Sequence, residues 1–144
     1  MVEVVWKGGM AFESKGDSGN PFLMDAYPEA GGAGSGPTPV EALLGSIAAC
    51  SAMDVVSILR KKQQTVTGYR IEVKGERSPE GEWPRPFLSI ELSHVLQGDN
   101  LDPVAVARAI ELSNDKYCTV MATLRKGPRI TTSWLIEEPI KGRT

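Results

Sequence analysis

The chain has 144 residues, of which 41% are hydrophobic and 24% charged, as is ordinary for a globular protein. This length and composition predict one domain over residues 1–144. Sixteen basic and eighteen acidic residues give a net charge of −2, with no long run of either sign. Because nucleic acids and anionic membrane surfaces attract clustered basic residues, neither is expected as a partner.

The N-terminus and the cysteine count predict a cytoplasmic protein. Glu3 stands where a signal peptide would carry a basic residue, so no leader is expected. Residues 42–59 are apolar enough to consider as a membrane span, but Asp54 and several serines favour a buried helix. Two cysteines do not make the disulfide framework of a secreted domain. In a reducing compartment they are either inert packing residues or a redox pair, and the count alone favours packing.

The first third of the chain predicts a small meander followed by a loop. Short apolar or β-branched segments at residues 2–6, 10–14 and 22–25 alternate with glycine-rich turns, which is typical of strands. The loop at residues 28–37 is rich in glycine and proline, and we attribute its glycines to flexibility. They match neither a P-loop nor a dinucleotide fingerprint, so no nucleotide cofactor is expected.

A long helix then begins with clear signals. Thr38 is the predicted N-cap, Pro39 is the first helical residue, and Glu41, three residues after the cap, completes a capping box. The helix is expected to end near Lys62, where basic residues suit its C-terminal dipole. Its middle is apolar on nearly every side, which predicts burial all round.

The remainder predicts two strands, two helices and a last strand. Residues 67–76 and 88–92 alternate between apolar and polar side chains, as a strand with one buried face does. A helix is expected to start at Asp102, a shorter one to span residues 118–126, and a final strand to follow at residues 130–136. The order of elements indicates an α+β fold.

Two residues of the long helix are candidates for chemistry. Cys50 is flanked by small residues, which leave space for a reacting thiol and equally suit close helix packing. Asp54 lies four positions on, about 40° around the same face. A carboxylate in so apolar a helix needs a partner, either a basic group near the thiol or a backbone group across the fold.

Cys118 and His94 are the other residues whose side chains could take part in chemistry. At the start of a short helix, Cys118 would feel the positive end of the dipole, which predicts a lowered thiol pKa. His94 is the only histidine and continues an apolar strand face, so a structural role is favoured over a Cys–His dyad. With two distant cysteines and one histidine, no metal site is expected.

The surroundings of both cysteines resemble those in the OsmC-like proteins of the OsmC/Ohr superfamily. The first block surrounds Cys50 and consists of residues 24–26, the glycine loop, and residues 39–44 and 48–56. The second block surrounds Cys118 and consists of residues 111–113, 116–118 and 124–126. The similarity extends from Trp6 to about Trp134. It implies an intertwined homodimer in which long buried central helices pack against antiparallel sheets.

The resemblance also implies a function in defence against oxidative stress. Cys50 would attack an organic hydroperoxide or hydrogen peroxide and become a sulfenic acid, and Cys118 would then condense with it to a disulfide. An external dithiol, lipoyl-type in relatives, would restore the pair, and no bound cofactor is implied.

Two features depart from the family pattern. Relatives hold the thiolate with an arginine from the N-terminal strands or loop, whereas residues 1–49 contain none. Relatives orient that arginine with a glutamate. Glu41 is the nearest match, but it lies nine positions before Cys50, about 180° around the helix, so a cap explains it more simply.

Three functions follow from these observations. The first is a thiol-dependent peroxidase with Cys50 and Cys118 as catalytic residues and Glu41 and Asp54 as auxiliary candidates. The second is a non-catalytic OsmC-like dimer that binds a small hydrophobic ligand or senses oxidation. A cysteine hydrolase or transferase comes third, because no convincing base is present.

Overall fold

The computed structural model describes residues 1–137 and residue 139. Its elements are β1 (Glu3–Trp6), β2 (Phe12–Lys15), β3 (Pro21–Met24), α1 (Pro39–Lys61), β4 (Thr65–Arg77), β5 (Phe87–Asp99), α2 (Pro103–Leu112) and α3 (Thr119–Lys126). A 3-10 turn, Pro28–Ala30, precedes α1, and a π-helical turn, Ser113–Tyr117, joins α2 to α3. The α+β prediction is confirmed.

The strands form two separate antiparallel sheets. β1, β2 and β3 make the predicted meander, and β4 pairs with β5 in a long hairpin in which Val73 faces Leu92. Helix α1 contacts β4, α2 and α3. The hairpin and the two short helices therefore build one side of a core around α1.

Helix α1 begins as its sequence predicts. The Thr38 side chain accepts a hydrogen bond from the Glu41 N–H at 3.2 Å, and the Glu41 carboxylate accepts from the Thr38 hydroxyl and from Tyr27 Oη. These bonds satisfy one of the free N–H groups of the first turn. The cap sets the start of the helix that carries Cys50.

Within one chain α1 is not buried on all sides, so that expectation was wrong for the single chain. Its buried residues form one stripe, Ile47, Ser51, Val55 and Leu59, whereas Met53 is 70% exposed. The reason is that α2, α3 and the β4–β5 hairpin cover only one side of the helix. Helix α1 is long and apolar enough to cross a membrane. The core helix of a globular protein can meet the same criteria of length and hydropathy.

The last predicted strand was also wrong. Residues 127–137 adopt no regular secondary structure, and Ile130, Trp134 and Ile136 are each more than three-quarters exposed. Alternating apolar residues become a strand only where another strand offers free backbone groups. Among the described residues, none pairs with this segment.

The glycine-rich loop is held in place rather than left flexible. The Asp25 carboxylate accepts hydrogen bonds from the N–H groups of Ala26, Ala33 and Ser35 and from the Ser35 hydroxyl, the last at 2.6 Å. A Cβ atom at Gly32 would overlap the backbone of Ala26. Glycine is therefore required there by close approach of the backbone.

A dithiol and carboxylate cluster as the candidate active site

The fold brings together two sulfurs that the sequence places far apart. Cys50 Sγ, Cys118 Sγ and a carboxylate oxygen of Asp54 all lie within 4.8 Å of one another. Both cysteines are reduced, Cys118 buried and Cys50 half-buried. Three of the four candidate residues of the sequence therefore share one site, which we call the dithiol cluster.

Helix α1 supplies two members of the dithiol cluster because of its periodicity. Cys50 and Asp54 are four positions apart, so they lie about one turn apart on the same face of the helix. Glu41 is not part of the cluster, since its carboxylate is engaged in the helix cap with Thr38 and Tyr27. The capping interpretation of Glu41 is confirmed.

The π-helical turn places Cys118 at the cluster. Its wider winding lets the Cys118 N–H donate to the Ser113 carbonyl at 2.9 Å, and α3 starts directly afterwards. Cys118 is thus the N-cap of α3, and its Sγ accepts a hydrogen bond from the Met121 N–H at 3.4 Å. Ile47 of α1 and Met121 of α3 pack against the thiol.

The predicted lowering of the Cys118 pKa was wrong. Burial in the apolar contact between α1 and α3 raises the pKa of the Cys118 thiol above its usual value. The hydrogen bond from the Met121 N–H acts in the opposite direction, as expected at a helix N-terminus, but it is the smaller effect. The nearby Cys50 side chain and the Asp54 carboxylate raise the pKa further.

The partner of Asp54 is neither a basic group nor a backbone group. The Ser113 hydroxyl donates to Asp54 Oδ2 at 2.9 Å, and Ser51 Oγ lies 3.2 Å from the same hydroxyl. Both serines are fully buried. The sequence analysis assigned no role to either serine. A small polar residue in an apolar helix, such as Ser51, can indicate a buried hydrogen bond.

No basic side chain in the described part of the chain forms a hydrogen bond with the dithiol cluster. Among the described residues, its hydrogen bonds come from Ser113 and from the backbone of Met121. His94 lies apart on β5, where its Nδ1 is 2.6 Å from Tyr69 Oη and burial lowers its pKa. The structural role predicted for His94 agrees with this contact.

An open cavity of about 870 Å³ adjoins the cluster. It lies between α1, α3 and the β4–β5 hairpin, and Ile47 and Met121, which pack on Cys118, also line it. Arg77, Arg85 and Arg125 contribute cationic side chains to an otherwise mostly apolar wall.

Comparison with known proteins identifies the family. The model of the family described as "OsmC-like protein" matches residues 32–133, which include α1, both long strands and the whole dithiol cluster. The chain belongs to the OsmC-like family. The resemblance seen in the sequence around Cys50 and Cys118 is thereby confirmed.

Several relatives of this OsmC-like protein share most of its length. Protein YhfA of Escherichia coli K12 is 40% identical over 134 residues, which cover 92% of this chain and 95% of YhfA. The crystal structure of a hypothetical protein from Aquifex aeolicus VF5 is 31% identical, covers 95% of both chains and superposes with a TM-score of 0.75.

A hydroperoxide-resistance protein is a more distant structural match to this chain. An organic hydroperoxide resistance protein from Legionella pneumophila superposes with a TM-score of 0.62 over 87% of this chain and 88% of its own. At 13% identity this likeness concerns the fold alone. This OsmC-like chain therefore shares its architecture with proteins of that class.

Proposed function

We propose that this protein is a thiol-dependent peroxidase that reduces organic hydroperoxides through Cys50 and Cys118. The observation that carries the proposal is the distance of at most 4.8 Å between two reduced sulfurs from positions 50 and 118. A disulfide needs sulfurs about 2.05 Å apart, so the two sulfurs would have to approach each other by at most about 2.8 Å.

The reaction divides between the two thiols. The Cys50 thiolate attacks the distal peroxide oxygen, the O–O bond breaks, and the alkoxide leaves and takes up a proton as alcohol. The Cys118 sulfur then attacks the Cys50 sulfenic acid, forming the disulfide and releasing water. An external dithiol reduces the disulfide by two exchange steps and is itself oxidised.

The environments of the two cysteines support this order. Cys50 is half-buried, so a small peroxide has a route to it, whereas Cys118 is only 3% exposed. Burial raises the Cys118 pKa, which keeps that sulfur protonated and unreactive towards bulk peroxide. Cys118 is thus suited to react only with a sulfenic acid formed beside it.

The physiological setting follows from the chemistry. A catalytic dithiol must be returned to the reduced state, which the cytoplasm favours. We infer a cytoplasmic protein reduced by a small dithiol of the lipoyl type, with no bound cofactor of its own.

We further infer that the working unit is a homodimer. The single chain exposes 11271 Å², against about 7200 Å² for a compact monomer of its mass. The exposed apolar side chains include Trp6 of β1, Phe22 of β3, Met53 of α1 and Trp134. Their burial between two copies fits the large interfaces of obligate dimers. Light scattering is expected to give twice 15.5 kDa; a monomer at micromolar concentration would contradict the inference.

The peroxidase is tested by steady-state consumption of tert-butyl hydroperoxide with dihydrolipoamide, using chelator-treated protein. Turnover is expected in the wild type, and none in Cys50→Ser. Cys118→Ser keeps an oxygen that can cap α3, so its fold should persist while turnover is lost and a Cys50 sulfenic acid accumulates. A wild type that is folded and reduced but neither turns over nor forms the disulfide would refute the proposal.

A second candidate is a non-catalytic dimer that binds a small hydrophobic ligand or senses oxidation. The absence of arginine from residues 1–49 and the large, mostly apolar cavity next to Ile47 and Met121 favour it. Disulfide formation without dithiol-supported turnover would support the sensing form of this candidate. Sustained turnover would exclude it.

A further inference from the structure

The dithiol cluster contains the donor set of a metal site. Two thiols and one carboxylate converge within 4.8 Å, although the two cysteines are 68 positions apart in the sequence. Tetrahedral zinc binds sulfur at about 2.3 Å and carboxylate oxygen at about 2.0–2.2 Å, which places donor atoms roughly 3.5–3.8 Å apart. Contraction by about an ångström would bring the three donors to that geometry.

Hydrogen bonds already orient two of the three donors. Ser113, itself fully buried, donates to Asp54 Oδ2 at 2.9 Å, and a carboxylate retains further lone pairs for a cation. The Met121 N–H donates to Cys118 Sγ, which favours the thiolate that a metal requires. Such supporting contacts are the usual outer shell of protein metal sites.

The burial of the cluster suits an accessible three-ligand site. Cys118 forms its buried floor, while Cys50 and Asp54 are half-buried and leave a side open to solvent. A cation could enter there and keep a water molecule as fourth ligand. Two soft thiolates and one carboxylate select a thiophilic cation such as Zn²⁺ over Mg²⁺ or Ca²⁺.

We propose that Cys50, Cys118 and Asp54 of the reduced protein bind one Zn²⁺ ion. Binding forms two zinc–sulfur bonds and one zinc–oxygen bond and releases the two thiol protons; no electron is transferred. The ion and the disulfide exclude each other, because both require the same sulfur lone pairs. Zinc therefore protects the dithiol from oxidation and holds it inactive until the ion is removed.

The site is tested with Co²⁺ as a spectroscopic probe in reduced, chelator-stripped and desalted protein. One equivalent per chain is expected to produce sulfur-to-cobalt charge-transfer absorption, which one equivalent of Zn²⁺ abolishes. Asp54→Asn is expected to weaken Co²⁺ binding at least about tenfold, whereas the exposed carboxylate variant Asp115→Asn binds as the wild type does. Absence of the absorption in the wild type, or unchanged affinity in Asp54→Asn, would overturn the proposal.

A second measurement needs no variant. Zn²⁺, but not Mg²⁺, is expected to slow iodoacetamide modification of both cysteines in the wild type at least tenfold, and equal rates with and without Zn²⁺ would contradict the site. The metal-site proposal and the peroxidase proposal are tested by independent measurements, so either one can be refuted without the other. Disulfide formation is measured in metal-free wild-type protein with peroxide, whereas Co²⁺ binding is measured without any peroxide.

Discussion

The Ser113 hydroxyl donates a hydrogen bond to Asp54 Oδ2 at 2.9 Å across 59 positions of sequence. This contact ties the π-helical turn, which presents Cys118, to the helix that carries Cys50. It is the only hydrogen bond to the Asp54 carboxylate among the residues that the structure describes. The buried serine therefore holds Asp54 in place within the dithiol cluster.

Removing this hydroxyl should destabilise the fold. Ser113→Ala leaves the half-buried Asp54 carboxylate without its donor and Ser51 Oγ without its neighbour, so the free energy of unfolding is expected to fall by about 1–3 kcal/mol. Urea denaturation measures the change. Ser57→Ala, at an exposed position of α1, should stay within about 0.5 kcal/mol of the wild type. Equal stability of the two variants would show that the contact contributes little.

The two cysteines should differ in reactivity. Cys118 is 3% exposed and burial raises its pKa, so iodoacetamide at neutral pH is expected to modify Cys50 first in the reduced, metal-free protein. Peptide mapping by mass spectrometry after short exposure gives the order. In urea the difference should disappear, because it depends on the fold. Preferential labelling of Cys118 would contradict the predicted effect of its burial.

Asp25 should make stability depend on acid pH. Hydrogen bonds, first from the Ser35 hydroxyl and then from backbone N–H groups, lower its pKa from 3.8 to about 2. Because the folded-state pKa is depressed, its contribution is complete above about pH 4 and is lost as pH falls through 2.

The matched variants are Asp25→Asn and Asp17→Asn. Asp25→Asn should be less stable than the wild type at neutral pH, with a difference that shrinks between pH 4 and 2. The exposed Asp17 carboxylate pairs with the equally exposed N-terminus, so Asp17→Asn should follow the wild-type curve. Chemical denaturation from pH 2 to 7 tests both, and a pH-independent difference for Asp25→Asn would contradict the assignment.

His94 should titrate below its ordinary value. Burial lowers its pKa from 6.5, and Tyr69 Oη can donate to Nδ1 only while that nitrogen is unprotonated. The stabilising contribution of neutral His94 is thus present above pH 6.5 and decreases as pH falls below it. Since His94 is the single histidine, NMR titration of the imidazole protons is unambiguous. A pKa at or above 6.5 would show that the ring is better solvated than its position indicates.

Local sequence determined the elements of this protein and the family to which it belongs. Thr38 and Pro39 set the start of α1, Gly127 ends α3 in a left-handed conformation, and alternation predicted β4 and β5. These features depend on interactions within a few residues, such as a cap or a turn. The motifs around Cys50 and Cys118 were local in the same sense, which is why the resemblance could be recognised.

Tertiary structure alone decided what the elements do together. It brought Cys50 to Cys118, selected Ser113 as the partner of Asp54, and reversed the pKa shift expected for Cys118. It also left residues 130–136 without the strand that their alternation predicts. Each outcome depends on which groups from distant positions fill the space around a side chain. Burial and pairing are properties of the packed chain, and local pattern cannot determine them.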